Sequence, residues 1–165
     1  TEWLTTRAGK GDLLQVVRAA RTVDAPRYKE VLPVVLEEAE DAETFVETYK
    51  VIRELEGDPV PEELLEAERK IRNTVNQDRE DLKPVMNHVR TIRDAGNDEI
   101  QMVLALDLIA RTGKGWSPRG AEAGFLILRS LPEEQRRIAA QLLARWGEEN
   151  AYLRQRIQET MKTMQ

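Results

Sequence analysis

The run DEIQMVLALDLIA, Asp98–Ala110, constrains this chain more than any other stretch. Ile100, Met102, Val103, Leu104, Leu106, Leu108 and Ile109 leave it almost no polar side. A helix that is apolar all round has to be enclosed by other elements. Gly96 offers a left-handed stop just before it, and Asn97 offers a cap. Asp98 and Glu99 put carboxylates in the first turn, where the helix dipole favours them. The run is therefore predicted to be a central, buried helix.

The flanking sequence supplies the enclosing elements as further helices. Trp3 and Leu4 belong to a short first helix that stops near Gly9 and Gly11. Asp12 opens a second, with Leu13, Leu14, Val16, Val17 and Ala20 on one side. Asp24 with Pro26 marks another start, and Pro33 a kink or an end. From Val34 to Leu55, apolar residues recur at three- and four-residue steps through Ala39, Ala42, Phe45, Tyr49 and Ile52. This predicts one amphipathic helix, or two joined near Asp41. Pro59 and Pro61 in EGDPVPEE end it. Leu64, Leu65, Ile71 and Val75 line the next helix, and Leu82, Val85, Met86, Val89 and Ile92 the one after. Ser117 and Pro118 open a helix holding Phe125, Leu126 and Leu128. Ser130 and Glu133 have capping-box spacing ahead of a last helix through Ile138, Leu142 and Trp146. No segment alternates cleanly as a strand would. The expectation is an all-α fold of eight or nine short helices over residues 1–165, with sub-bundles 1–80 and 81–165 as one way of dividing it. Aromatic residues are few, at two Phe, three Tyr and three Trp, so the core falls to Leu, Val, Ile and Ala.

Charge is distributed unevenly. The net charge is −5, which argues against a general nucleic-acid binder. Residues 31–80 carry six basic and fifteen acidic groups, whereas residues 111–165 carry ten basic and six acidic. Residues 1–30 carry six basic and four acidic groups, and an acidic middle with basic ends suggests contacts between copies of the chain. There is no cysteine, so thiolate and disulfide chemistry are absent. No run of about 18 apolar residues suggests a membrane span, and the opening residues show no signal-peptide pattern.

Several groupings invite a chemical reading. RTGKGWSPRG, residues 111–120, mixes three glycines with Arg111, Lys114 and Arg119. A nucleotide P-loop needs a Gly where Leu108 stands and Ser or Thr where Gly115 stands. What remains is three cations around a helix N-terminus able to attract an anion, or else a solvated turn between helices. Trp116 is either a partner anchor or a cover for the end of the bundle. Glu37, Glu38, Glu40, Asp41 and Glu43 form an acidic cluster. Hard cations need such carboxylates to face inward; a solvated face is the ordinary alternative. His88 stands alone, too little for a usual zinc site. Arg69, Lys70 and Arg72 form one basic patch. Arg136, Arg137, Arg145, Arg154 and Arg156 stud the last helix. Both patches could meet phosphates or lipid headgroups, or pair with glutamates one turn away. Tyr152, Leu153 and Ile157 add a thin apolar stripe suited to a neighbouring protein surface.

Two strings carry a resemblance. EWLTTR at Glu2–Arg7 is similar to a Glu-Trp-Leu-x-Thr-Arg string of the influenza-type (orthomyxovirus) matrix proteins. ERKIR at Glu68–Arg72 looks like that family's basic helical motif, here interrupted by Ile71. The resemblance implies an all-helical N-terminal region in two bundles. It also implies a protein that polymerises beneath a viral envelope and contacts lipid and ribonucleoprotein. On it, Arg69, Lys70 and Arg72 would be the lipid or nucleoprotein contacts.

The combined expectation is a non-enzymatic protein that self-associates through complementary charged faces. Its most specific form is a viral matrix-layer protein, a homo-oligomer meeting an anionic membrane surface or ribonucleoprotein, located in the virion inner layer and inside the host cell. No cofactor and no small-molecule substrate are expected. The alternatives are a cytoplasmic helical adaptor binding a partner through its C-terminal helix, and a metal-dependent nucleotide phosphohydrolase.

Overall fold

A computed structural model describes residues 30–75, 83–110, 118–146 and 155. Among these residues there are seven α-helices and no strand. They are α1 (Leu32–Glu38), α2 (Ala42–Leu55), α3 (Glu62–Val75), α4 (Lys83–Arg93), α5 (Asp98–Ala110), α6 (Pro118–Arg129) and α7 (Glu133–Trp146). The helices expected before residue 30 lie outside the described residues. The chain forms two units, with the division between Val60 and Pro61, inside the EGDPVPEE break. The boundary considered near residue 80 falls in 76–82, outside the described residues.

In the first unit, α1 packs on α2. Val31, Leu32, Val35 and Val51 are buried together, with Ile52 and Leu55 packed against them. Pro33 sits in the first turn of α1, where its missing N–H costs nothing. It stands at the start of this helix; the piece that it was expected to kink or end lies largely outside the described residues. The chain then breaks before Asp41. Asp41 is extended, and its Oδ1 accepts the Thr44 N–H at 2.8 Å. This is a side-chain N-cap for α2, and the arrangement is the two-helix alternative. Thr48 is fully buried and spends its hydroxyl on the Thr44 carbonyl, 2.6 Å away. Gly57, at φ +76°, ends α2 in the left-handed conformation that lacks a Cβ penalty.

In the second unit, α5 packs against α3, α4, α6 and α7. Every residue from Ile100 to Ile109 is buried, as a helix without a polar face requires. Asn97 caps it, with Oδ1 accepting the Ile100 N–H at 3.0 Å, and Gly96 turns at φ +73°. The surrounding helices each turn one stripe inward: Leu64, Ala67 and Ile71 of α3, and Val85, Val89 and Ile92 of α4. α6 lies closest to α5. A Cβ added to Gly124 would stand 2.7 Å from the Ala105 carbonyl oxygen and 2.6 Å from Ile109 Cγ1. Gly124 is what permits that approach.

Two local expectations are corrected. The Ser130 hydroxyl donates to the Ile127 carbonyl at 2.7 Å, so it closes α6 rather than forming a capping box with Glu133. α7 buries Ala139, Ala140 and Leu143, while Ile138 is the exposed large hydrophobic residue among those described. The inward face is therefore turned by about one residue from the Ile138–Leu142–Trp146 line. The two alanines let α7 lie close to its neighbours without needing bulk at that face.

Candidate functional site

The charged side chains named from sequence separate into three situations. Arg69 is about half exposed and bonded within its own helix, to Glu66 and, at 3.4 Å, to Glu62. Lys70 is exposed, whereas Arg72 is partly buried and its Nε is shielded from solvent. Ile71 is fully buried and Glu68 is 2% exposed. The three cations therefore do not make one open patch: α3 turns the middle of the motif inward. On α7, Arg137 and Arg145 are exposed. Arg136 is half-buried with its Nε covered. Arg111, Lys114, Trp116, Tyr152, Leu153, Arg154, Arg156 and Ile157 lie outside the described residues, as does the side chain of Arg119.

The acidic cluster lies along the surface of the first unit. Glu37, Glu38, Glu40 and Glu43 are exposed, and Asp41 is occupied as the α2 cap. Residues 30–60 hold ten carboxylates and two cations. Every one of those carboxylates is exposed or half-exposed. Lys50 is engaged with Glu47 at 3.9 Å, and Arg53 with Asp58 at 2.6 Å. Arg53 also lies over the Tyr49 ring, 5.7 Å from its centroid. No group of three or more His, Cys, Asp or Glu able to hold a metal occurs among the described residues. By sequence, the unit ending at Val60 carries a net charge of −5, and the unit beginning at Pro61 carries none.

The second unit contains a polar cleft that the sequence reading did not single out. It measures about 490 Å³ and is lined by Arg90, Arg93, Asp94, Asp98, Gln101 and Ser130. Four pieces of the fold build it. Arg90 and Arg93 stand three residues apart in the last turn of α4, where cations complement the dipole. Asp94 belongs to the turn that follows. Asp98 and Gln101 come from the first turn of α5, and Ser130 from the end of α6. Arg90 and Arg93 are exposed, yet neither enters an ion pair among the described residues. Gln101 is only 4% exposed. The arginine spacing was legible in RTIRDAGND. The arrival of Ser130 from α6 was not, because it depends on how α6 crosses α4. Chemically the cleft presents two guanidiniums and two carboxylates, a charge-balanced lining, with the Gln101 amide and the Ser130 hydroxyl beside them.

No family model, curated protein or solved structure matches this chain. Among the described residues, no helix is long and apolar enough to cross a membrane.

Proposed function

We propose that this is a non-enzymatic protein that associates with copies of itself, the acidic unit of one copy meeting cationic side chains in the second unit of the next. The observation that carries the reading is the composition of residues 30–60, ten carboxylates, eight of them exposed and two partly buried, against two cations. Such a surface repels its like and attracts cations. The second unit supplies exposed cations outside any ion pair among the described residues, including Arg90, Arg93, Arg129 and Arg137. Because the two surfaces differ, the contact is heterologous. A contact of that kind propagates into filaments or layers unless it closes into a ring.

The matrix-layer form of this reading rests on the EWLTTR and ERKIR strings. A layer lining a membrane needs the propagating contact described here, with Lys70 as the open cation of the ERKIR motif. Light scattering over a salt series tests the proposal. The mean mass is expected to exceed that of the 18.9 kDa chain at low ionic strength. It is expected to fall as the Debye length shortens from about 30 Å at 0.01 M to about 3 Å at 1 M. A mass equal to one chain at every salt concentration removes the proposal.

A further inference from the structure

We infer that the Asp58–Pro59 peptide bond is a site of acid-promoted chain scission, and that Arg53 restrains it. The inference stands apart from the self-association reading. Asp58–Pro59 is the only Asp–Pro pair in the sequence, and it lies two residues before the division between the two units. Gly57, Asp58 and Pro59 are exposed and outside any helix, so water and acid reach the bond. A carboxylate can serve as an internal nucleophile, and that of an aspartate stands close to the carbonyl carbon of its own residue. Proline makes the bond that follows a weak one. Its nitrogen belongs to a tertiary amide, takes a proton more readily than an N–H amide does, and leaves as a secondary amine.

The step balances with water as the only co-reactant and acid as the catalyst. A carboxylate oxygen of Asp58 attacks the Asp58 carbonyl carbon. The bond to the Pro59 nitrogen breaks, and that nitrogen takes the proton. The five-membered anhydride left on Asp58 is opened by one water, which restores the side chain, creates a terminal carboxyl and returns the proton. The cut leaves residues 1–58, with the acidic surface, and residues 59–165 as separate chains.

The fold works against this step by holding the nucleophile. Arg53 Nη2 lies 2.6 Å from Asp58 Oδ2, and the Asp58 N–H donates to the Arg53 carbonyl at 3.0 Å. Arg53 is anchored in turn. Its side chain is 14% exposed, it lies 5.7 Å from the centroid of the Tyr49 ring, and its Nη1 donates to the Tyr49 hydroxyl at 3.3 Å. An oxygen whose electron pairs are engaged by a guanidinium is a poorer nucleophile. Reaction also needs a carboxylate oxygen brought into line within about 3–3.5 Å of the carbon, and a charge-assisted hydrogen bond opposes that turn. Glu54 and Glu56, beside Asp58 in the chain, are exposed and leave Arg53 as the cation that holds it.

The experiment keeps the full chain in mild acid, at about pH 4, where carboxyl groups are partly ionised. Mass spectrometry follows the fragments that end at Asp58 and begin at Pro59. Wild type, Arg53→Gln, Arg53→Lys and Asp58→Ala are compared, each checked for fold by circular dichroism at that pH and each repeated in urea. Folded Arg53→Gln is expected to be cut about two- to fivefold faster than folded wild type, as an ion pair with one exposed partner allows, with Arg53→Lys between them. In urea these three are expected to share one rate, and Asp58→Ala is expected to stay intact at this bond throughout. Equal rates for folded wild type and folded Arg53→Gln overturn the restraint. If Arg53→Gln does not fold, wild type answers the same question: equal rates when folded and in urea overturn the restraint. Cutting of Asp58→Ala at this bond, or no such fragment from any chain in urea, overturns the site itself.

Discussion

Replacing Gly124 by Ala is expected to destabilise the second unit, although the same change in an open helix would stabilise it. Gly124 lies inside α6, where Ala is favoured over Gly by about 1 kcal/mol. Against that gain stands the approach to α5. The new Cβ would meet the Ala105 carbonyl oxygen at 2.7 Å and Ile109 Cγ1 at 2.6 Å, with Ile109 Cδ1 at 3.2 Å. Comfortable contact between carbon atoms begins at about 3.5 Å, so the two helices would have to part by nearly ~1 Å. Ile109 is fully buried and has little room to swing away. The Ala105 oxygen is backbone, in a helix surrounded on every side. Overpacking of this sort costs about 1–3 kcal/mol, and an obstructing backbone atom places this case near the top of that range. The net expectation is a loss of about 1–2 kcal/mol. In urea denaturation followed by far-ultraviolet circular dichroism, the midpoint should fall with the slope unchanged. A midpoint equal to wild type or higher would show that α5 and α6 are not in such close contact.

Other substitutions test other parts of the account. Leu104→Ala, at a fully buried position of α5, should cost about 2–5 kcal/mol in the same assay. Asp41→Ala removes the α2 cap and should cost about 1 kcal/mol; no change would mean the cap is not formed in solution. Ile138→Gln should cost less than about 0.5 kcal/mol because the residue is exposed, whereas Leu143→Ala should cost several times more. The reverse order would return α7 to the orientation expected from sequence. Arg69→Ala should shift stability by less than about 0.5 kcal/mol, since its pairs with Glu62 and Glu66 are solvent-exposed.

Much of the fold was legible because the strongest signals were local. The burial of α5 follows from eight apolar residues among the ten from Ile100 to Ile109, and its start follows from Gly96 and Asn97. The break at EGDPVPEE was likewise plain, since Pro59 and Pro61 cannot continue a helix. What failed was decided by neighbours. The orientation of α7 depends on two alanines being small enough for close packing, and hydropathy undervalues them beside Ile138. Ser130 has cap spacing, but its hydroxyl was nearer to the carbonyl behind it. The basic motif on α3 read as one patch because cations adjacent in sequence were counted together. On a helix Ile71 turns inward, and Glu66 and Glu62 lie one and two turns back from Arg69. The cleft at Arg90 and Arg93 needed the end of α6 to arrive beside α4 and α5, which no spacing within either helix encodes.

The claim most worth testing is that solvent-facing carboxylates, rather than an apolar face, join one copy to the next. Glu37→Gln/Glu38→Gln/Glu40→Gln/Glu43→Gln removes four charges from the acidic unit while keeping side-chain size. Sedimentation velocity at low salt, on a variant first shown to be folded, is the direct measurement. The account predicts single chains where the wild type forms larger species. Assemblies of undiminished size in the variant would contradict it.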